Sequence, residues 1–454
     1  MPSKRQLWQS LSSSPPSKRH NRMAYRPCKT AEADIGMRYY MCDTEGTGGR
    51  IKTFAEDFIV DEISSYPPEK DGEYVIARVT STNWETNRMV RMMSRSMGIS
   101  RERIGFAGTK DKRAVTSQLM SFKCDPETVS RIKLKDLDIK VIGRSARPMR
   151  IGDLIGNSFK IKVRECDVPR NEAAEICEAV RSELGARGGF PNYFGVQRFG
   201  TVRPITHKVG EALVRGNTEE AVRIYLSAPS EFEDESVKEA RERLAVGNYS
   251  EIVKDMPKNM DFERTLAQYL SDNPEDYAGA ISALPSNLQM MFTHAYQSYI
   301  FNMMLSERMT RGLPLDIPID GDTVIPKDAD GIPLHEKPVK VTKKNIDLAM
   351  KQVRTGRAFV AITIFGSDST FSDGEMGEIE RKVMDSERIT VEDFLVVGLP
   401  NCSSRGSSRE ILCPINDLDV CIDDEGYTAS FSLPKGNYAT CVMREFMKSD
   451  MTHF

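Results

Sequence analysis

Apolar and polar positions alternate through FIVDEI (58–63) and EYVIARVTS (73–81), the two-residue period of a half-buried strand. The period then lengthens. In TNRMVRMMSRSMGI (86–99), Met89, Met93 and Met97 recur every fourth residue, which predicts a helix with one methionine face toward a core. QLMSFKC (118–124), IKVIGRSARPMRIGD (139–153) and NSFKIKVREC (157–166) read as further strands punctuated by Gly and Pro. NEAAEICEAVRSEL (171–184) is an amphipathic helix predicted to end at Gly185. After Gly216 the texture changes. Residues 218–310 read as mostly helical, and residues 312–342 are rich in Pro, Gly and Asp. RAFVAITIFG (357–366) is a strand and MGEIERKVMDSER (376–388) a helix. Past Arg405 strands return with ASFSLP (429–434), and LPKGNYATCVMREFMK (433–448) is a glycine turn followed by a helix carrying Arg444 and Glu445, read as an internal salt bridge. No internal repeat is visible. The pattern predicts an α+β domain on a mixed, largely antiparallel sheet, interrupted by a second domain, with order beginning near Gly49.

At 454 residues the chain is long enough for two or three domains. An apolar share of 39 % and a charged share of 28 % suit a globular protein, and no run approaches a membrane span. Residues 1–30, rich in Ser, Pro and basic residues, read as a disordered basic tail without a secretory core. Nine scattered cysteines with no CxxC, and only five histidines, argue against a disulfide framework and a structural zinc site; a reduced, cytoplasmic setting is expected. The net charge of −3 hides a strong asymmetry. Residues 88–160 hold 17 Lys/Arg against 7 Asp/Glu, whereas residues 219–276 hold 15 acids against 7 bases. A basic module beside an acidic one points to a polyanion on one side, although a solvated basic face has the same composition.

Candidate chemistry concentrates in FAGTKDKRAVTSQ (106–118), where Lys110, Lys112 and Arg113 surround Asp111. A carboxylate serves as nucleophile or base, and neighbouring cations favour its ionised form and attract phosphates. The same residues are also ordinary turn chemistry. In FPNYFGVQRFG (190–200), Phe190, Tyr193, Phe194 and Phe199 interleave with Asn192, Gln197 and Arg198. Rings of this kind stack on unpaired bases while amides and guanidinium groups bind base edges or phosphates; an aromatic core strand is the competing reading. Lys52 stands just ahead of the first strand, and the rings Tyr296, Tyr299 and Phe301 read as core packing, with His294 as a capping or packing residue. No G-x-x-x-x-G-K-[ST], no G-x-G-x-x-G and no metal-ligand spacing occurs, so neither a nucleotide cofactor nor a metal is expected.

Taken in order, KTFAEDFIVDE, FAGTKDKRAVTSQ, MRIGDLIGNSFKIKVRE, FPNYFGVQRFG, HAYQSYIFN and LPKGNYATCVMRE resemble the TruD family of tRNA pseudouridine synthases, and the length suggests an archaeal-type member. The resemblance implies a pseudouridine synthase fold over residues 48–216 and 405–454, with an inserted α/β TRUD domain over 217–404. It implies conversion of uridine to pseudouridine in tRNA, at position 13 of the D-arm. The family's nucleophilic Asp falls on Asp111 and its active-site Lys on Lys52. Its Asn and Phe fall on Asn192, hydrogen-bonded within the loop that positions Asp111, and on Phe194, stacked on the uracil. Lys110, Lys112, Arg113 and Arg198 would meet RNA. The acidic stretch would face away from it. The alternative is a non-catalytic RNA-binding or RNA-folding protein using the same cleft.

Overall fold

The structure, a computed structural model, describes residues 25–28, 31–64, 66, 69, 71–328 and 331–454. Most of the expected basic tail therefore lies outside the described residues. The first part of the chain supplies β1 (Phe58–Ile63), β2 (Tyr74–Thr82), α1 (Thr86–Met97), β3 (Val115–Phe122), β4 (Leu137–Ser145), β5 (Gly156–Cys166) and α2 (Arg170–Arg187). The middle supplies short helices, then the long helix α3 (Ser286–Thr310), β6 (Thr323–Pro326), β7 (Ala358–Ile364) and α4 (Gly374–Glu387). The last part supplies β8 (Ser407–Glu410), β9 (Asn416–Asp423), β10 (Gly426–Pro434) and α5 (Ala439–Met447).

A nine-stranded sheet runs β9-β10-β5-β1-β3-β2-β4, with Gly48–Arg50 on β5 and Ile104–Phe106 on β3. Every pair is antiparallel except β1 with β3, where Ile59 faces Val115. This is the mixed, largely antiparallel sheet of an α+β fold. The edge-side β10 alternates strictly between buried and half-buried positions, whereas the central β3 is buried almost throughout, as a strand covered on both faces must be. On one face Met89 and Met93 of α1 join Val75, Met120 and Phe122 in one apolar cluster. α1 begins at Glu85, whose carboxylate accepts the Asn87 and Arg88 N–H, and ends at Gly98 in the left-handed conformation. α2 runs past Gly185 to Gly188, whose φ of +76° makes the stop; at Gly185 a side chain would meet open space, so nothing there breaks the helix.

One further expectation shifts. Order starts before Gly49: Arg26–Pro27 pairs with Tyr39–Tyr40, and Ile35, Met37, Met41 and Cys42 are fully buried. Arg444 and Glu445 of α5 form the expected internal salt bridge, 3.8 Å apart, and both also hold this segment. Arg444 Nε donates to Glu32 at 2.6 Å, and the Glu445 carboxylate accepts the Met41 and Cys42 N–H at 3.0 Å. The second lobe is built around α3 and β7. Its helical core includes Ile205 and Val209, and β8, at 407–410, pairs with β7 to extend the lobe's small antiparallel sheet. One apolar cluster joins β5, α2 and α5 to the C-terminal half of α3 and to β7, so the two lobes share a core. Tyr296 and Phe301 lie in it, as core packing requires. No helix among the described residues is long and apolar enough to cross a membrane.

Candidate active site

The loop from Ala107 to Ala114 links the short strand Ile104–Phe106 to β3 and carries the Lys-Asp-Lys-Arg run. Its root is tight: a side chain on Gly105 would lie 2.3 Å from the Met149 carbonyl oxygen. Lys110 is expected at a phosphate, and the structure gives its ammonium two partners inside the protein. Its Nζ donates to Glu62 of β1 at 2.8 Å and to Asn157 of β5 at 3.1 Å, and the two side chains of the ion pair are 5 % and 0 % exposed. Its backbone N–H donates to Thr86 Oγ1 at the start of α1. Lys110 is thus a strut that fixes the loop against the sheet. An ammonium held by a fully buried carboxylate is not available to solvent-borne phosphates.

Asp111, one residue on, has the opposite environment. Its side chain is 43 % exposed and stands 3.3 Å from Lys52 Nζ. At that length and exposure the pair is loose, and the carboxylate remains accessible. Lys52 is itself rigidly aimed. It adopts φ +57°, a left-handed conformation uncommon for any residue but glycine, and its Nζ sits 4.3 Å over the Phe58 ring. The loop carrying it is pinned on both sides: Ile51 N–H donates to His453 O, while Asp57 accepts the Phe54 N–H and pairs with Arg164 of β5. Lys112 and Arg113 are exposed, and no carboxylate pairs with them among the described residues.

Asp111 opens onto a cleft of about 550 Å³ lined by the apolar Phe58, Val60, Leu154 and Phe159 and, from the α5 turn, by Asn437 and Tyr438. A second hollow of about 500 Å³ adjoins it on the side of the second lobe, lined by Phe194, Arg198, His294, Ser298, His335 and Arg409 among others. A third, of about 240 Å³, bridges them: it shares Asn437 with the first and Arg409 with the second. None of residues 219–276 lines any of the three.

The aromatic run is mainly core. Phe190, Tyr193 and Phe199 are at most 1 % exposed, and Phe194 is 7 % exposed. Phe194 lines the second hollow and not the Asp111 cleft; the rings on the Asp111 cleft are Phe58, Phe159 and Tyr438, the last 6.3 Å from Phe194. Asn192 does not bond within the Asp111 loop. Its Nδ2 donates to Glu410 O at 3.0 Å, and its Oδ1 accepts from Arg409 at 2.7 Å. Arg409 in turn lies 4.3 Å over the Phe194 ring and donates to Gly436 O, tying the 190–194 turn to β8 and to the turn before α5. Arg198 flanks the same ring at 5.6 Å and donates to Ser298. His294 is only half-buried and lines the hollow; burial lowers its pKa. The contact with Glu410, 2.8 Å away, raises the pKa of His335. Burial pushes Glu410 up, yet His335 more than offsets this and the carboxyl ends below its usual range. Glu62, Arg409 and Tyr438 escaped the sequence reading. Glu62 and Tyr438 lay inside motifs that could have flagged them; Arg409 did not.

The family model for tRNA pseudouridine synthase D (TruD) matches residues 34–446. A relative from Methanosarcina acetivorans, named "Probable tRNA pseudouridine synthase D", is 41 % identical over 427 residues, covering 92 % of this chain and 97 % of its own. One of the same name from Halobacterium salinarum is 39 % identical over 435 residues, covering 93 % and 98 %. The crystal structure of a Methanosarcina mazei protein carrying the TruD name superposes with a TM-score of 0.82 at 38 % identity, covering 94 % of this chain and all of that one.

Proposed function

The chain belongs to the tRNA pseudouridine synthase D family of isomerases, and from that we propose that it converts uridine to pseudouridine at position 13 of the tRNA D-arm with Asp111 as nucleophile. The observation that carries the reading is the pairing of an accessible Asp111 with a rigidly presented Lys52 at the mouth of an apolar cleft. In the reaction the N1–C1′ bond breaks, the base turns and a C5–C1′ bond forms. C5 loses a proton and N1 gains one, so the composition is unchanged. Asp111 adds to C6 of the base or to C1′ of the ribose and is released when C5 is joined. Both routes need a charged, desolvated carboxylate. Lys52 favours that charge once the base has closed the cleft to water. Phe58, Val60 and Phe159 offer the extruded base an apolar surface and Tyr438 offers a ring, contacts that offset an unstacking cost of a few kcal/mol. Lys112 and Arg113, exposed beside Asp111, meet backbone phosphates, and the domain that bears this chemistry comprises the large sheet with α1, α2 and α5.

The test is Asp111→Asn, which keeps size and polarity. Pseudouridine is mapped nucleotide by nucleotide on tRNA treated with each protein. The expected result is a modified position 13 with the parent and none with the variant, while tRNA affinity stays within a few fold. Turnover by the variant would assign the nucleophile elsewhere. Unmodified tRNA with the parent as well would favour an RNA-binding role without chemistry.

A further inference from the structure

The second hollow has a charge pattern that the isomerisation does not use. Its lining contains two guanidinium groups, Arg198 and Arg409, and four serines but no carboxylate. Arg409 is only 9 % exposed, and a charge buried that deeply ordinarily has a counter-ion. Its three hydrogen bonds go instead to neutral acceptors: the backbone oxygen and Oδ1 of Asn192 and the backbone oxygen of Gly436. The neighbouring carboxylate, Glu410, pairs with His335 and acts on Arg409 only through space, with no hydrogen bond between them among the described residues. A guanidinium has five N–H donors, so one on each terminal nitrogen of Arg409 remains. Arg198 gives its Nε–H to Ser298, and its terminal nitrogens have no protein acceptor among the described residues. The two cations flank one ring, Phe194, at 4.3 and 5.6 Å. The third hollow links this one to the Asp111 cleft, sharing His335 and Arg409 with it and Lys435, Gly436 and Asn437 with the cleft.

We propose that Arg409 and Arg198 form a seat for a phosphodiester of the substrate RNA, next to the nucleotide whose base enters the Asp111 cleft. A phosphate oxyanion supplies the missing counter-charge and accepts the free N–H groups in the planar geometry that arginine favours. Asn192 is then a positioning residue: its side chain orients Arg409 and has no part in the Asp111 loop. The seat rests on the reading of the Asp111 cleft as the uridine site.

The experiment pairs the protein with full-length tRNAs carrying a single uncharged methylphosphonate at each linkage around the target nucleotide. With the parent, one linkage should weaken binding on the order of tenfold or more, the loss of a charge-assisted hydrogen bond. Arg409→Met should bind native tRNA correspondingly less well and be indifferent to that linkage. Arg198→Gln, at a less buried position, gives the same comparison if Arg409→Met fails to fold. Asn192→Ala should resemble Arg409→Met in affinity, with its defect concentrated in KM. Interference that persists in full in the folded variants, or none at any linkage with the parent, overturns the seat. Inorganic phosphate and uridine monophosphate are titrated alongside. Tight binding of either that depends on Arg409, without linkage interference, would mean that the hollow serves a free nucleotide and would also overturn the proposal. Failure of the uridine reading shows separately, as turnover by Asp111→Asn.

Discussion

Removing the charge of Lys110 should unfold the site before it weakens RNA binding. Lys110→Met keeps the stem and deletes the ammonium. Glu62, whose side chain is 0 % exposed, then keeps only the Leu119 N–H at 3.3 Å, and Asn157 loses a donor. Leaving one member of a buried ion pair without its partner costs roughly 3–5 kcal/mol. Glu62→Gln should cost a comparable amount, because it leaves the 5 % exposed Lys110 ammonium with neutral acceptors only. The double variant should fall short of the sum by about 0.5–3 kcal/mol, the coupling of two residues in contact. Urea denaturation measures the change in midpoint at constant slope, and tRNA affinity is measured at several salt concentrations. A strut leaves the salt dependence unchanged, whereas a phosphate-binding lysine, once removed, lowers the slope of log affinity against log salt by roughly 0.7–0.9. A Lys110→Met protein of nearly normal stability with a flattened salt slope would refute the strut and return Lys110 to the RNA.

Replacing both exposed cations, Lys112→Ala with Arg113→Ala, should have the reverse signature: an unchanged denaturation midpoint and a salt slope lower by roughly 0.7–0.9 for each phosphate no longer neutralised. Lys52→Gly and Lys52→Ala should both abolish turnover, but the glycine variant should be the more stable by about 1 kcal/mol, because only it relaxes the positive φ; equal denaturation midpoints would contradict this. The His335–Glu410 contact adds stability in a window set by both partners. His335 is raised, so its contribution is complete below about 6.5, the unfolded value, and is lost as pH rises through the higher folded value. Glu410 is lowered, so its contribution is present above about 4.3 and is lost as pH falls through the lower folded value. Thermal melts of His335→Gln should therefore differ most from the parent near pH 5–6 and converge toward pH 9.

Local periodicity carried much of the fold. The alternation at 58–63 and the Met89–Met93 face of α1 follow from burial on one side, which the sequence records directly, whereas Val75, Ile76 and Ala77 in 74–82 are buried on both faces. The misplaced end of α2 shows the limit: two glycines lay within four residues, and only the left-handed conformation at Gly188 separates them. Roles set by distant partners were harder to read. Lys110 and Asp111 are adjacent and look alike as charged turn residues, yet the partner that makes Lys110 a strut lies 48 positions away. Asn192 was legible as special but not in its purpose, because its partner Arg409 lies 217 residues on, in the four-residue strand β8. The segment 31–47 lacks a clear apolar period, and much of its order is imposed by α5.

The hold of α5 on that segment also sets when the protein can fold. Glu32 and Arg444 meet across 412 residues, and β5 receives its neighbour β10 only when Gly426 to Pro434 exist. At ribosomal rates these 454 residues take roughly 20–90 s to synthesise. For most of that time β5 presents an unpaired edge and the buried 31–42 segment has no seat. Residues 31–42 therefore cannot finish folding until α5 has been made. Contacts this remote in sequence make the last step slow and leave a nascent sheet edge exposed to other chains.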